Sequence, residues 1–173
     1  MVHTKEYSAI ERLRDGSLLE IRALRPGDRD GLLAAVDRTS TESLYRRFFA
    51  FKRGFTDKEV EFYVNVDFVS HAAFVAVQEE GGSPMIVGGA RYIVVQPHRA
   101  EIAFAVDDAH QGKGIGAAMM RHLVSVARKA GLTELVADVL PENAAMLKVL
   151  TSSGLPVTNK RDADTIHVEI RLG

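Results

Sequence analysis

The chain has 173 residues, 46% of them hydrophobic and 26% charged, a net charge of −1 and no cysteine. That length suits one domain over residues 1–173 with one core, and the absence of cysteine excludes a disulfide framework, a thiolate metal site and a cysteine nucleophile. The near-neutral charge leaves no global field for nucleic acid or acidic membranes, no apolar run approaches the roughly 20 residues that span a bilayer, and the N-terminus lacks the apolar core of a secretion signal, so a cytoplasmic protein is expected.

Residues 8–14 and 18–24 flank Asp15-Gly16, a two-residue hairpin signal. Arg25-Pro26-Gly27-Asp28 ends the second strand, and Asp28 or Asp30 is placed to cap a helix bearing Leu32, Leu33 and Val36. Ser40-Thr41-Glu42 starts another helix, with Leu44, Tyr45, Phe48 and Phe49 on adjacent turns. Thr56-Asp57-Lys58-Glu59 reads as a capping box ahead of Val60, Tyr63 and Val64. The middle of the chain is β: runs at 72–78, 85–95 and 101–106 with short turns between them suggest an antiparallel meander. Gly88-Gly89 inside the second run predicts a bulge or a close backbone approach. Ile115, Ala118, Met119, His122, Leu123, Val126, Ala127 and Ala130 then recur at helical spacing, and Gly131 is a suitable stop. Residues 134–140 form a further β run, Pro141-Glu142-Asn143 opens a second helix closed by Gly154, and 165–172 alternate as a half-buried strand does.

The segment from 101 to 117 carries the chemistry. A strand with one acid at its start, Glu101, turns through Asp107, Asp108 and Ala109 into Gln111-Gly-Lys-Gly-Ile-Gly116-Ala117, and the long helix follows. Closely spaced glycines before a helix let backbone N–H groups converge on an anion at the positive end of the helix dipole. This is a layout for a diphosphate-bearing acyl carrier. Lys113 either adds charge or is simply solvated. Gly112-x-Gly114-x-x-Ala117 also fits a loose dinucleotide fingerprint, with Asp138 as an acid for ribose, but that motif opens a series of βα units, whereas antiparallel strands precede it here. No Gly-Lys-Ser/Thr occurs, so there is no Walker loop, and the six histidines show no metal-ligand spacing. His110 reads as a surface turn residue. Tyr45, Phe48 and Phe49 read as core before substrate groove, and Arg46, Arg47, Lys52 and Arg53 as a solvated face or a docking patch for an acidic surface.

Gln111-x-x-Gly114-x-Gly116 between strand and helix resembles the acyl-CoA pyrophosphate loop of the GNAT superfamily of N-acetyltransferases. The later strand, with Asn143 at the head of a helix ending at Gly154-Leu155, resembles that superfamily's second CoA motif. More narrowly, Ile21-Arg22-x-Leu-Arg-Pro26-x-Asp28, Ser43-Leu-Tyr-Arg-Arg-Phe-Phe49, Glu101-Ile-Ala-Phe-Ala-Val106 and Val139-Leu-Pro-Glu-Asn143-x-x-Met146-Leu147 together resemble the acetyltransferase domain of Pat-type protein-lysine acetyltransferases, bacterial enzymes that acetylate acyl-CoA synthetases.

The resemblance implies an α/β (α+β) fold: a mixed, mostly antiparallel central sheet, splayed near 101–106, with helices on both faces. It implies acetyl-CoA as co-substrate, no metal, and Glu101 as general base. The N–H of Val106 would hold the thioester oxygen, and Phe104, Ala105 and Val106 would pair with the pantetheine arm. Gln111, Gly112, Lys113, Gly114, Ile115, Gly116 and Ala117 would grip the diphosphate, and Asn143 would bond the pantetheine amides. The acceptor implied is a lysine on a protein, an acyl-CoA synthetase above others, with no nucleic acid or membrane partner and a monomer or homodimer as the assembly. A small-amine acetyltransferase and a non-catalytic acyl-CoA sensor are the alternatives. Two departures stand out. Many Pat-type enzymes carry a fused regulatory or synthetase-like domain, for which 173 residues leave no room. Many GNAT enzymes also place a tyrosine acid on the second CoA helix, where this chain has Leu150.

Overall fold

The computed structural model describes residues 6–37 and 56–173. The chain starts with a hairpin of β1 (Ser8–Arg12) and β2 (Leu18–Ala23). Its loop is one residue longer than the two-residue turn expected. Leu13 N–H donates to Ser17 O at 2.8 Å, Gly16 N–H reaches back to Leu13 O, and Gly16 takes the left-handed position at φ +87°. The Asp15 carboxylate accepts from both the amide and the hydroxyl of Ser17, which favours the longer turn. Asp28 ends a short 3₁₀ turn, Pro26–Asp28, where it takes a two-pronged bond from Arg22 at 2.7 and 2.9 Å and the Arg25 amide. Helix α1 (Arg29–Asp37) follows. The helix expected from residue 40, with Tyr45, Phe48, Phe49 and the cations Arg46, Arg47, Lys52 and Arg53, lies outside the described residues. At the head of α2 (Asp57–Val64) both halves of the expected capping box form, Glu59 N–H to Thr56 Oγ1 at 3.2 Å and Thr56 N–H to Glu59 Oε1 at 3.0 Å.

The meander is β3 (His71–Glu80), β4 (Ser83–Gln96) and β5 (Arg99–Val106). The β3–β4 register passes from Ala76 opposite Gly88 to Val77 opposite Ile86, so Val87 is the extra residue of a bulge beside the expected Gly88-Gly89. Gly88 also sits at a close backbone approach: a Cβ there would lie 2.8 Å from Ala105 O. Helix α3 (Ile115–Lys129) crosses over to β6 (Glu134–Val139), which runs parallel to β5. Helix α4 (Ala144–Thr151), β7 (Val157–Asp162) and β8 (Thr165–Arg171) complete the chain.

The eight strands of the described residues form one sheet in the order β1-β2-β3-β4-β5-β6-β8-β7, and every neighbouring pair is antiparallel except β5 and β6. Helices cover both faces. One face packs Ile102 and Phe104 of β5 and Leu135 of β6 against Ile115, Met119 and Leu123 of α3. The other packs Ala73, Val75 and Val77 of β3 against Leu24 and Ala35, the latter on α1. Each large aliphatic side chain buried in this way contributes about 1.5–3 kcal/mol. Because side chains alternate along a strand, Ile102 and Phe104 facing α3 turn Glu101, Ala103 and Ala105 to the α1 face.

Candidate active site

The two parallel strands part company early. β5 and β6 pair only through Arg99–Glu134, Ala100–Leu135 and Glu101–Val136, and an ion pair between Arg99 and Glu134 at 3.1 Å holds the closed end. Beyond Glu101, β5 continues to Val106 bonded to β4 alone. A cleft of about 580 Å³ opens along this free edge. Asp107 N–H donates to Val87 O on β4 at 2.9 Å. Amides alternate sides along an antiparallel strand, so the N–H of Val106 points away from β4 and into the splay. The Val106 carbonyl accepts from the Gln111 side chain at 3.2 Å.

Phe104, Ala105, Val106, Gln111, Gly112, Gly114, Ile115, Gly116, Ala117 and Asn143 all line this cleft, so the fold gathers these expected binding residues around one space. Lys113 of the same loop does not line it; its ammonium acts on Asp15 of the first hairpin loop, whose carboxyl is held low first by Ser17 and then by that charge. Gly114 is the N-cap of α3 at φ +89°, with no side-chain cap bond and no acid in the first turn. The opening N–H groups of α3 therefore face the cleft bare. Helices α2 and α4, by contrast, close their N-termini with side chains; Asn143 accepts from the Met146 amide at 3.1 Å.

Arg14, Arg121, Arg128 and Lys148 also border the cleft, and no carboxylate does among the described residues. Four cations beside bare helix amides suit a ligand with several negative charges. Arg14 comes from the β1–β2 loop, its Nη2 4.0 Å from where a Cβ on Gly114 would lie. Arg121 is held by Glu11 at 2.8 Å, and Arg128 donates to the Leu172 carbonyl at 3.0 Å. None of these stood out in the sequence. Arg121 and Arg128 fall between the apolar positions of α3 and read as a solvent face, and nothing local to Arg14 places it beside a loop 100 residues on.

Glu101 is the third residue of β5 and is 4% exposed, a buried carboxyl at the closed end of the splay. Five residues of extended strand, about 16 Å, separate its backbone from Val106. That exceeds the span of a glutamate side chain plus one hydrogen bond, so an acid here would serve a thioester at Val106 only through a chain of more than one water. On the same sheet face Arg91 is fully buried; it donates to Tyr63 O at 3.0 Å and to His71 Nε2 at 2.9 Å, with its guanidinium 5.1 Å from the Tyr63 ring centre. Burial pushes Arg91 down to about 10, and burial together with the Arg91 charge pushes His71 down to about 4. His71 is therefore neutral at pH 7 and accepts the arginine's proton in the bond.

His110 is not the surface residue its turn suggests. It is 4% exposed, with Nδ1 2.5 Å from the Asp107 carboxylate and Nε2 2.7 Å from Glu80, so it ties the glycine loop to the end of β3. Leu150 is wholly buried in the core and offers no acid. Asp138 bonds His167 at 2.9 Å on the sheet, and the antiparallel strands before the loop do not build a dinucleotide fold. No group of three or more metal-ligating side chains occurs among the described residues.

Comparison with known proteins agrees with this geometry. Residues 38–154 match the model of the acetyltransferase (GNAT) family. Acetyltransferase Pat of Mycolicibacterium smegmatis is 33% identical over 162 residues, 92% of this chain and 47% of that protein, so the chain spans about half the length of this relative. Acetyltransferase PA5475 of Pseudomonas aeruginosa is 30% identical over 156 residues, 90% of this chain and 83% of that protein. Among solved structures, the GNAT domain of S. lividans PAT superposes with a TM-score of 0.82 at 32% identity, covering 95% of this chain and 96% of that one.

Proposed function

The chain belongs to the acetyltransferase (GNAT) family, and from that premise we propose that it moves the acetyl group of acetyl-CoA to the ε-amine of a lysine on an acceptor protein, an acyl-CoA synthetase. The observation that carries the reading is the half-unzipped β5, with its cation-lined cleft ending at the bare N-terminus of α3. The coenzyme's diphosphate would sit on the amides of 111–117, with Arg14 and Arg121 adding charge. The pantetheine arm would lie along Phe104, Ala105 and Val106 as an added strand, with Asn143 on its other side.

In this scheme the thioester oxygen takes the N–H of Val106, which stabilises the charge that develops on it. The lysine nitrogen attacks the carbonyl carbon, a C–N bond forms and the C–S bond breaks. Only the neutral amine attacks, and deprotonating a lysine of pKa about 10.4 at pH 7.5 costs about 4 kcal/mol. Glu101 takes that proton through water and offsets part of the cost. The departing thiolate is neutralised by water or the amine's proton, because Leu150 supplies none. The setting proposed is the cytoplasm.

The likeness to Pat proteins supports a protein acceptor. The test is to incubate the protein with labelled acetyl-CoA, an acyl-CoA synthetase and, separately, a panel of free amines. Label on a synthetase lysine, lost in Glu101→Gln, is the expected result. Rapid acetylation of a free amine with no protein labelled would move the assignment to small-amine acetylation. Tight coenzyme binding with no transfer to any acceptor would make the chain a sensor.

A further inference from the structure

Just ahead of the glycine loop the chain makes a short 3₁₀ turn, Asp108–His110, and the His110 ring is buried in the wall of the cleft. Its Nδ1 lies 2.5 Å from an Asp107 carboxylate oxygen and its Nε2 2.7 Å from one of Glu80. An ionised carboxylate only accepts hydrogen bonds, and a neutral imidazole has a single N–H. Both contacts are hydrogen bonds at once only when the ring carries two protons and a positive charge. Both lengths are those of charge-assisted bonds or shorter. A neutral ring would keep one bond and aim a lone pair at the other carboxylate.

The two carboxylates anchor the ring to different strands. Asp107 is buried, and its N–H is bonded to Val87 O on β4 at 2.9 Å. Glu80 ends β3, paired with Ser83 across the Gly81-Gly82 turn, and its side chain is half exposed. On the other side of the ring, Gln111 follows at once with its side chain on Val106 O, and Gly114 opens α3. Arg14 and Arg121 border the same cleft, but among the described residues the charged groups bonded to the ring are Asp107 and Glu80.

We propose that His110 is a positioning residue for the coenzyme: as an imidazolium bridging Asp107 and Glu80, it holds residues 111–117 in the shape that presents their amides to the diphosphate. The inference rests on the acyl-CoA reading above and adds a proton to it. When the ring loses that proton, the bond to Glu80 goes first, because water can solvate the half-exposed carboxylate, whereas buried Asp107 keeps its N–H donor. The loop then has one tie fewer to the sheet. Coenzyme affinity should therefore fall as pH rises, and by linkage coenzyme binding at high pH should draw a proton onto the ring.

The experiment is calorimetric titration of dephospho-CoA into wild type, His110→Gln and Glu80→Gln at pH 6, 7.5 and 9, in two buffers of different ionisation enthalpy. Dephospho-CoA keeps the diphosphate and lacks the 3′-phosphate, which itself titrates at about pH 6. From pH 6 to 9 the wild-type dissociation constant should rise about tenfold, the worth of one hydrogen bond to a charged group. The two buffers should show proton uptake on binding at the upper end. His110→Gln has no charge to lose and should bind at every pH about as weakly as wild type does at pH 9. Glu80→Gln separates charge from packing: its amide turns its oxygen to the protonated ring or its N–H to the neutral one, so the bridge survives. Its constant should stay near the wild-type pH 6 value throughout, which a merely structural histidine would not produce. A wild-type constant that does not move between pH 6 and 9, or a tenfold rise surviving in either variant, overturns the inference and leaves the acyl-CoA reading standing. Failure of both dephospho-CoA and CoA to bind wild type overturns both.

Discussion

From Arg99 to Glu101, β5 pairs on both edges, with β4 and with β6; from Ile102 to Val106 its only strand partner among the described residues is β4. The backbone is continuous, and what differs is whether a neighbour claims its outer N–H and C=O groups. In the paired half those groups are spent on the sheet, and the half carries a buried side chain, Glu101. In the parted half β6 does not claim them, and the Val106 carbonyl takes the Gln111 side chain. On the function proposed, one strand would separate two duties, proton transfer at its closed end and coenzyme binding along its open end, and substitutions should separate them too.

The largest effect is expected in the paired half. Glu101→Gln keeps shape and removes the base, so turnover at pH 7.5 should fall about 100-fold or more while the coenzyme dissociation constant changes less than about twofold. Steady-state rates and calorimetry on one preparation check this, and the rate gap should narrow toward pH 10 as the acceptor lysine loses its proton unaided. Equal rates for the two forms across pH 6 to 9 would remove Glu101 from the mechanism.

In the parted half the balance reverses. Gly114→Ala places a Cβ on a residue at φ +89°, a strain of about 1–2 kcal/mol, and shifts the amides meant for the diphosphate. Coenzyme affinity should drop about tenfold. Gly131, at φ +87° behind α3, sharpens the contrast: its N–H closes onto Arg128 O at 3.0 Å, far from the glycine loop. Gly131→Ala should cost a similar ~1–2 kcal/mol of stability, read as a lowered melting temperature, and leave coenzyme affinity unchanged. Arg14→Ala should weaken coenzyme binding about threefold, and less in high salt, because the side chain is exposed and screened.

The smallest change at neutral pH belongs to His71→Gln, beside the paired half, which keeps an acceptor for Arg91. His71 titrates near 4 when folded and near 6.5 when unfolded, so between those values the unfolded chain binds more protons. Its contribution to stability is complete above pH 6.5 and is lost as pH falls toward 4. Denaturant melts across that window should slope less steeply in the variant.

Much of this was legible in the residues because the signals were local. The capping box at Thr56, the bulge beside Gly88 and the strand-glycine-helix order at 101–129 each follow from spacing alone. β7 was not legible: of Val157–Asp162 only Val157 is partly buried, so an edge strand with both faces wet carries no apolar alternation. The splay was expected from resemblance, since the parting of β5 from β6 depends on two strands more than 25 residues apart. The burial of His110 and the approach of Arg14 to Gly114 escaped for the same reason. Both are long-range contacts made by side chains that look like surface residues in one dimension.

A crystal structure of the protein grown with CoA would show whether the glycine loop holds the diphosphate. The diphosphate oxygens should lie within hydrogen-bonding distance of amides between Gly112 and Ala117, with the pantetheine arm along Phe104–Val106. Coenzyme bound elsewhere, or a cleft still empty at saturating concentration, would contradict the account.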